Sequence, residues 1–263
     1  MNILQIEALA KRIRVHVLEM THKAQSSHVG SCLSIADILA VLYSKIMNVR
    51  PQEPDWEGRD KFILSKGHAC AALYAVLAER GFFPMEGLNN YYQKGSLLSG
   101  HISHYVPGVE ASTGSLGHGL SIGCGMALAT ESKVYVLLSD GDCNEGSTWE
   151  AVMFAKQHKL DNLVAIVDYN KLQAMGKTEG IMGLDPLADK WRSFGWSVGE
   201  VNGHNIRHLE HILKFIPRET GKPSCIIAHT VKGKGVSYME NRVEWHYKYP
   251  NAEELGKALE ELG

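Results

Sequence analysis

A parallel α/β sheet with helices on both faces is the fold this sequence predicts, and three observations predict it. Short apolar runs alternate with helix-like segments along the whole chain. Two of those runs, Lys133-Val-Tyr-Val-Leu-Leu-Ser-Asp140 and Leu163-Val-Ala-Ile-Val-Asp-Tyr-Asn170, end in an oxygen-bearing side chain. Between them, Ser147 to His158 places Trp149, Val152, Met153 and Lys156 at helical spacing, with Thr148 as the candidate cap. Strand, helix and strand make a right-handed βαβ unit, so Asp140 and Asn170 are expected together at the carboxyl edge of the sheet, where open α/β sheets bind ligands. Asp-Gly alone is a common strand-ending turn. Paired with Asn170, it suits a hard cation such as magnesium, which takes its remaining oxygens from water and a phosphorylated ligand.

The other elements follow in order. Ile6, Leu9, Ala10, Ile13 and Val17 form one apolar stripe, predicting an amphipathic helix over the first two dozen residues. The loop Gln25 to Ser31, which holds His28, leads into a second helix through Ile35, Ile38, Leu39 and Leu42, with Ser34 as candidate cap and Tyr43 near its end. Arg50 to Gly58 is a proline-marked surface connection. Lys61 to Ser65 reads as a short strand that turns at Lys66-Gly-His68 into a helix reaching about Arg80. From Gly87 to Val109 the Tyr-, Gly- and Ser-rich pattern predicts a structured loop carrying His101 and His104. Gly114, Gly117 and Gly119 let backbone approach a ligand closely, and a helix starting near Gly117 would aim free amides at an anion. Later come a short helix from Leu187 that stops at Gly195, a strand from Trp196 to Val201, a helix from Ile206 to Phe215, and a strand from Ser224 to Thr230. The segment Lys232 to His246 reads as polar, irregular and mobile, followed by a last helix near Ala252 to Leu262.

Composition bounds the function. With 263 residues, the chain can bury about three-quarters of its unfolded surface as a single domain spanning 1–263. Charged residues at 21% and a net charge of −2 predict neither a nucleic-acid stripe nor an acidic tail. Cys32, Cys70, Cys124, Cys143 and Cys225 include no Cys-x-x-Cys pair, which fits small core residues in a reducing compartment. With no signal-peptide layout and no run long enough to cross a bilayer, the expected location is the cytoplasm. The glycine stretch lacks the Rossmann spacing, and Lys232-Gly-Lys-Gly235 lacks the Walker spacing.

Seven stretches together resemble the amino-terminal half of a transketolase, in that family's order and over nearly the whole chain. They are Ser-Ser-His28-Val-Gly, Leu64-Ser-Lys-Gly-His68-Ala, Gly100-His101, Pro107 to Gly119, Ser139-Asp140-Gly141 with Glu145-Gly146, Asp168-Tyr-Asn170, and Trp245-His246. The resemblance implies a thiamine-diphosphate-binding fold of the pyrophosphate-binding type. It implies that Asp140, Asn170 and the Leu172 carbonyl hold Mg2+ or Ca2+ on the cofactor diphosphate, and that His68, Gly114, Ser115, Leu116, Gly117 and Gly141 line the same pocket. Glu145 and Asp168 are implied as supporting residues near the cofactor and the subunit seam. His28, His101 and His246 are implied to face the sugar, moving protons as carbon–carbon bonds break and form. The activity implied is ketol transfer between a ketose and an aldose, both commonly phosphorylated. The chain ends where a fused enzyme would continue, so the implied partner is a separate pyrimidine-binding chain, in an assembly of two copies of each. Ser139 stands where the family usually has Gly, Tyr247 where small residues are usual, and Val29 where Pro is frequent. Alternatives from the same cofactor class are a deoxyxylulose-phosphate-synthase-like protein and the alpha chain of a 2-oxoacid dehydrogenase; from another class, a regulatory subunit that kept the fold.

Overall fold

The computed structural model describes residues 1–263. Five strands, β1 (Lys61–Leu64), β2 (Val134–Ser139), β3 (Leu163–Tyr169), β4 (Ser197–Asn202) and β5 (Ser224–His229), form one all-parallel sheet in the order β1-β2-β3-β5-β4. Successive side chains of a strand point to opposite faces, and the two cores follow that alternation. Tyr135, Leu137, Val164, Ile166 and Ile226 enter one core, while Val134, Val136, Leu138, Ala165, Val167 and Ile227 enter the other. Because both faces are covered, every residue of β2 and β3 is buried, which is why those strands read as unbroken apolar runs.

The first core packs α1 (Ile3–Ala24), α2 (Val29–Leu33), α3 (Ala36–Val41), α4 (Cys70–Glu79) and α9 (Ile206–Lys214) on one face, with Ala258 of α10 (Ala252–Leu262) joining its margin. The second packs α5 (His118–Ala129), α6 (Gly146–Gln157) and α8 (Leu187–Ser193) on the other. A short α7 (Thr178–Met182) follows β3. All five cysteines are buried and unpaired, as expected of small core residues. No helix is long and apolar enough to cross a membrane.

Four local expectations need correction. The second predicted helix is broken into α2, α3 and a π-turn at Leu42–Ile46, and Ser34 does not cap it. The Ser34 hydroxyl instead donates to Asp168, because a helix buried on all sides spends its polar side chains on internal partners. Thr148 is not a cap either: α6 starts at Gly146, and the Thr148 hydroxyl donates to the Asp142 carbonyl. Finally, the 232–246 segment is built in, with Lys232 1%, Trp245 4% and His246 8% exposed.

Candidate functional site

The carboxyl edge of the sheet assembles the site. Ser139 pairs with Asp168 across β2 and β3, so Asp140 and Asn170 leave neighbouring strands on the same edge. Thr178 ties the two loops together: its hydroxyl donates to Asp140 Oδ2 at 2.6 Å and its amide to the Lys171 carbonyl. Asn170 is held by two bonds, Nδ2 donating to Asp168 and Oδ1 accepting from the Leu172 amide. Asp140 is 2% exposed, and burial raises its carboxyl above the usual range; its hydrogen-bond donors, the Thr178 hydroxyl and the Gly141 amide, are neutral. No group of three or more His, Cys, Asp or Glu side chains could cage a metal here.

Asp168 is completely buried and accepts from Lys66, Ser34, Asn170 and Thr230. Burial alone would raise this carboxyl; Lys66 and the hydroxyl donors outweigh it and leave it below the usual carboxylate range. With its lone pairs engaged by these donors, the Asp168 carboxylate orients Asn170 from within the protein. Glu145, in contrast, is solvent-exposed at the N-cap of α6, and its side chain makes no capping bond.

Asp142 welds the glycine loop to this edge. Its carboxylate accepts from Ser65, the Gly117 amide, and both the amide and hydroxyl of Ser139. Ser139, where a glycine would be usual in the resembled family, thus contributes a bond. Gly117 caps α5 at φ 82°, and a Cβ there would meet Ser147 Oγ at 2.5 Å, so only glycine fits. Leu116 touches Gly141, which places the 114–117 loop beside Asp140. Gly67 underlies the other side of the loop, where a Cβ would collide with the Thr113 carbonyl.

Above this edge, four imidazoles converge. The His28 ring lies 5.1 Å from His68, 5.8 Å from His101 and 5.0 Å from His246; His68 and His246 are 5.5 Å apart. Their sequence separation gave no sign of this contact beyond the motif order. His28 adopts φ 78°, and its amide donates to the His246 carbonyl at 2.7 Å, which locks the first loop to the last. Burial, followed by the neighbouring His101 and lysine charges, lowers His28 to about 4. Burial and Lys232 lower His246 to about 3, and burial and Lys66 depress His68 strongly. All three rings are neutral near pH 7. A cavity at their mouth is lined by Ser27, Tyr91, Tyr92, Tyr247 and Tyr249 among others.

Two lysines were not singled out from the sequence. Lys66 pairs with Asp168, whereas Lys232 donates to the Leu172 carbonyl at 3.1 Å and to His246 Nδ1 at 2.8 Å, with no carboxylate among its bonded partners. Burial lowers Lys232 to about 8. The pocket thus holds a carboxylate bonded only by neutral donors and an ammonium bonded only to neutral acceptors. A divalent cation carrying a diphosphate complements both.

The family described as "Transketolase, thiamine diphosphate binding domain" matches residues 6–263. An apulose-4-phosphate transketolase subunit of Phocaeicola vulgatus is 43% identical over 267 residues, covering 100% of this chain and 95% of that protein. The 6-deoxy-6-sulfo-D-fructose transketolase subunit of a Clostridium species is 42% identical over 261 residues, covering 97% and 94%. The crystal structure of Campylobacter jejuni transketolase superposes with a TM-score of 0.93 at 33% identity, covering all of this chain and 43% of that one. This chain thus spans less than half of the solved transketolase chain it matches. On the family match and on relatives of similar length, the chain belongs to the transketolase family, as its thiamine diphosphate binding domain.

Proposed function

We propose that this chain, acting as one domain over residues 1–263, is the cofactor-binding subunit of a two-chain transketolase. It would move a two-carbon ketol unit between sugars that carry an anionic group. The observation that carries the reading is the cluster of neutral imidazoles beside the Asp140 and Asn170 edge.

In this reading Asp140, Asn170 and the Leu172 carbonyl hold Mg2+ or Ca2+. Lys232, His68 and the backbone of Gly114, Ser115, Leu116, Gly117 and Gly141 surround the diphosphate, and Glu145 faces the partner. Thiamine diphosphate supplies the nucleophilic carbon and the electron sink for carbon–carbon cleavage. The chain's own residues manage protons. The Lys232 ammonium donates to His246 Nδ1, so the proton of that neutral ring sits on Nε2, free to donate to a sugar oxygen. His28 Nδ1 is occupied by the Ser27 hydroxyl, which leaves Nε2 for substrate. His101 stands more open to solvent, where an incoming aldose would pass.

The histidine set favours hydroxyl-bearing intermediates over the acyl chemistry of a 2-oxoacid dehydrogenase. The names of the two relatives, one acting on a 4-phosphate and one on a 6-sulfonate sugar, support an anionic sugar as substrate. Both relatives are named as subunits of a transketolase, which supports a partner chain; we place it as the pyrimidine-binding half in a two-plus-two assembly. The test is reconstitution of the chain with such a partner, followed by light scattering, calorimetric titration with thiamine diphosphate and Mg2+, and transfer from fructose 6-phosphate to ribose 5-phosphate and other aldoses. The pair is expected to bind cofactor and turn over, and the chain alone to do neither well. Full turnover without a partner, or a cofactor-loaded pair that transfers no ketol unit from any ketose, overturns the reading.

A further inference from the structure

Lys232 has to be aimed. Its side chain enters the pocket from a turn whose backbone is fixed on both sides: the Gly233 amide donates to the Gly30 carbonyl at 3.0 Å, and the Val231 amide donates to His204 Nε2 at 2.8 Å. The second of these fixings comes from outside the cofactor edge. His204 sits in the turn between β4 and α9, pressed against the end of β5 by Gly203, where a Cβ would stand 2.5 Å from Thr230 Cγ2. Its other ring nitrogen, Nδ1, is 2.7 Å from Asp37 Oδ2 on α3.

An amide N–H can only donate, so Nε2 accepts and the ring proton lies on Nδ1, bonded to the carboxylate. Asp37 is itself gripped by both terminal nitrogens of Arg14, at 3.2 and 2.5 Å, and Arg14 Nε donates to the Lys234 carbonyl at 3.0 Å. The three side chains are about one-tenth exposed. Burial alone would raise Asp37; Arg14 and His204 outweigh it and keep the carboxyl below its usual range. The chain Arg14, Asp37, His204 and Val231 therefore runs from α1 to the turn carrying Lys232 without a free polar group.

We propose that His204 is a positioning residue of the cofactor site. By accepting the Val231 amide while anchored on Asp37, it sets the backbone from which Lys232 reaches the diphosphate. The proposal rests on the reading of Lys232 as a diphosphate ligand.

Two near-isosteric variants separate its two bonds. In His204→Gln the side-chain oxygen can occupy the Nε2 position and still accept from Val231; in His204→Asn the amide nitrogen can occupy the Nδ1 position and still donate to Asp37. Each is titrated with thiamine diphosphate and Mg2+ in the reconstituted complex, with thermal melting in parallel. His204→Gln is expected to bind within a few-fold of the natural protein, and His204→Asn about tenfold or more weakly at a similar melting temperature, since a buried amide has lost its acceptor. Equal affinities in the two variants, or loss that follows the Asp37 bond, overturns the proposal. Failure of the natural complex to bind cofactor at all would overturn the reading of the site beneath it. Should either variant fail to fold, nitrogen-15 NMR of His204 in the natural protein decides: a proton on Nδ1 is expected, and a proton on Nε2 refutes the arrangement.

Discussion

Replacing Lys232 with Met should stabilise the cofactor-free protein while weakening its affinity for thiamine diphosphate. Lys232 is 1% exposed, and both of its acceptors, the Leu172 carbonyl and neutral His246, are uncharged. Burial, with Lys66 adding repulsion, takes it from 10.5 to about 8. That difference corresponds to about 3 kcal/mol of unfavourable charge burial in the folded state. The sign is definite: between pH 8 and 10.5 the unfolded chain binds the extra proton, so stability rises with pH through that window, and below pH 8 the full penalty is present. Methionine removes it but leaves two acceptors without a donor, at roughly 1 kcal/mol each. The net gain is about 1 kcal/mol, or roughly 2 °C in melting temperature for a chain of this size. Removing a buried cation opposite a diphosphate should cost about 3 kcal/mol or more in binding, roughly a hundredfold in Kd. Scanning calorimetry of the chain and cofactor titration of the reconstituted complex read the two quantities separately. A Lys232→Met protein that binds cofactor as tightly as the natural one, or that is less stable by more than about 2 kcal/mol, refutes the reasoning.

The other predictions test the rest of the site. Asp140→Asn keeps the shape but removes the one carboxylate available to a cation, so affinity for the Mg2+ and thiamine diphosphate pair should fall about a hundredfold, and EDTA should strip cofactor from the natural complex. His28 and His246 are lowered to about 4 and 3, so the unfolded chain binds the extra protons in the range from 6.5 down to those values. Stability should drop as pH falls through that window, and urea midpoints of a His28→Gln, His246→Gln double variant should drop less steeply. Tyr247 leans on His246 at 4.9 Å and on His28 at 6.1 Å while remaining 64% exposed at the cavity mouth. Tyr247→Ala should shift KM among sugar substrates several-fold and leave cofactor Kd unchanged, because the ring touches no diphosphate-side group. A parallel change in cofactor affinity would show that the ring belongs to the cofactor pocket instead.

What the sequence determined by itself was the layered sheet and the order of its site motifs. Apolar periodicity is a local property, and a strand covered on both faces declares itself as an unbroken run, as β2 and β3 do. The strand ends were equally legible, since adjacent parallel strands carry Asp140 and Asn170 to the same edge whatever lies between them. Tertiary structure alone decided which charges are internal. Nothing local in the sequence singles out Lys66 or Lys232, and their burial depends on partners as distant as Asp168, 102 positions from Lys66. Arg14 finds the Lys234 carbonyl across 220 positions, and His204 finds Asp37 across 167. The polar 232–246 segment looked mobile because its composition lacks a period; its order comes from the burial of Val236, Met239 and Trp245 in the first core and from hydrogen bonds to other elements, neither of which a local window contains. A side chain's charge state and role follow from its three-dimensional solvent and partners, and those are fixed only when the chain has closed on itself.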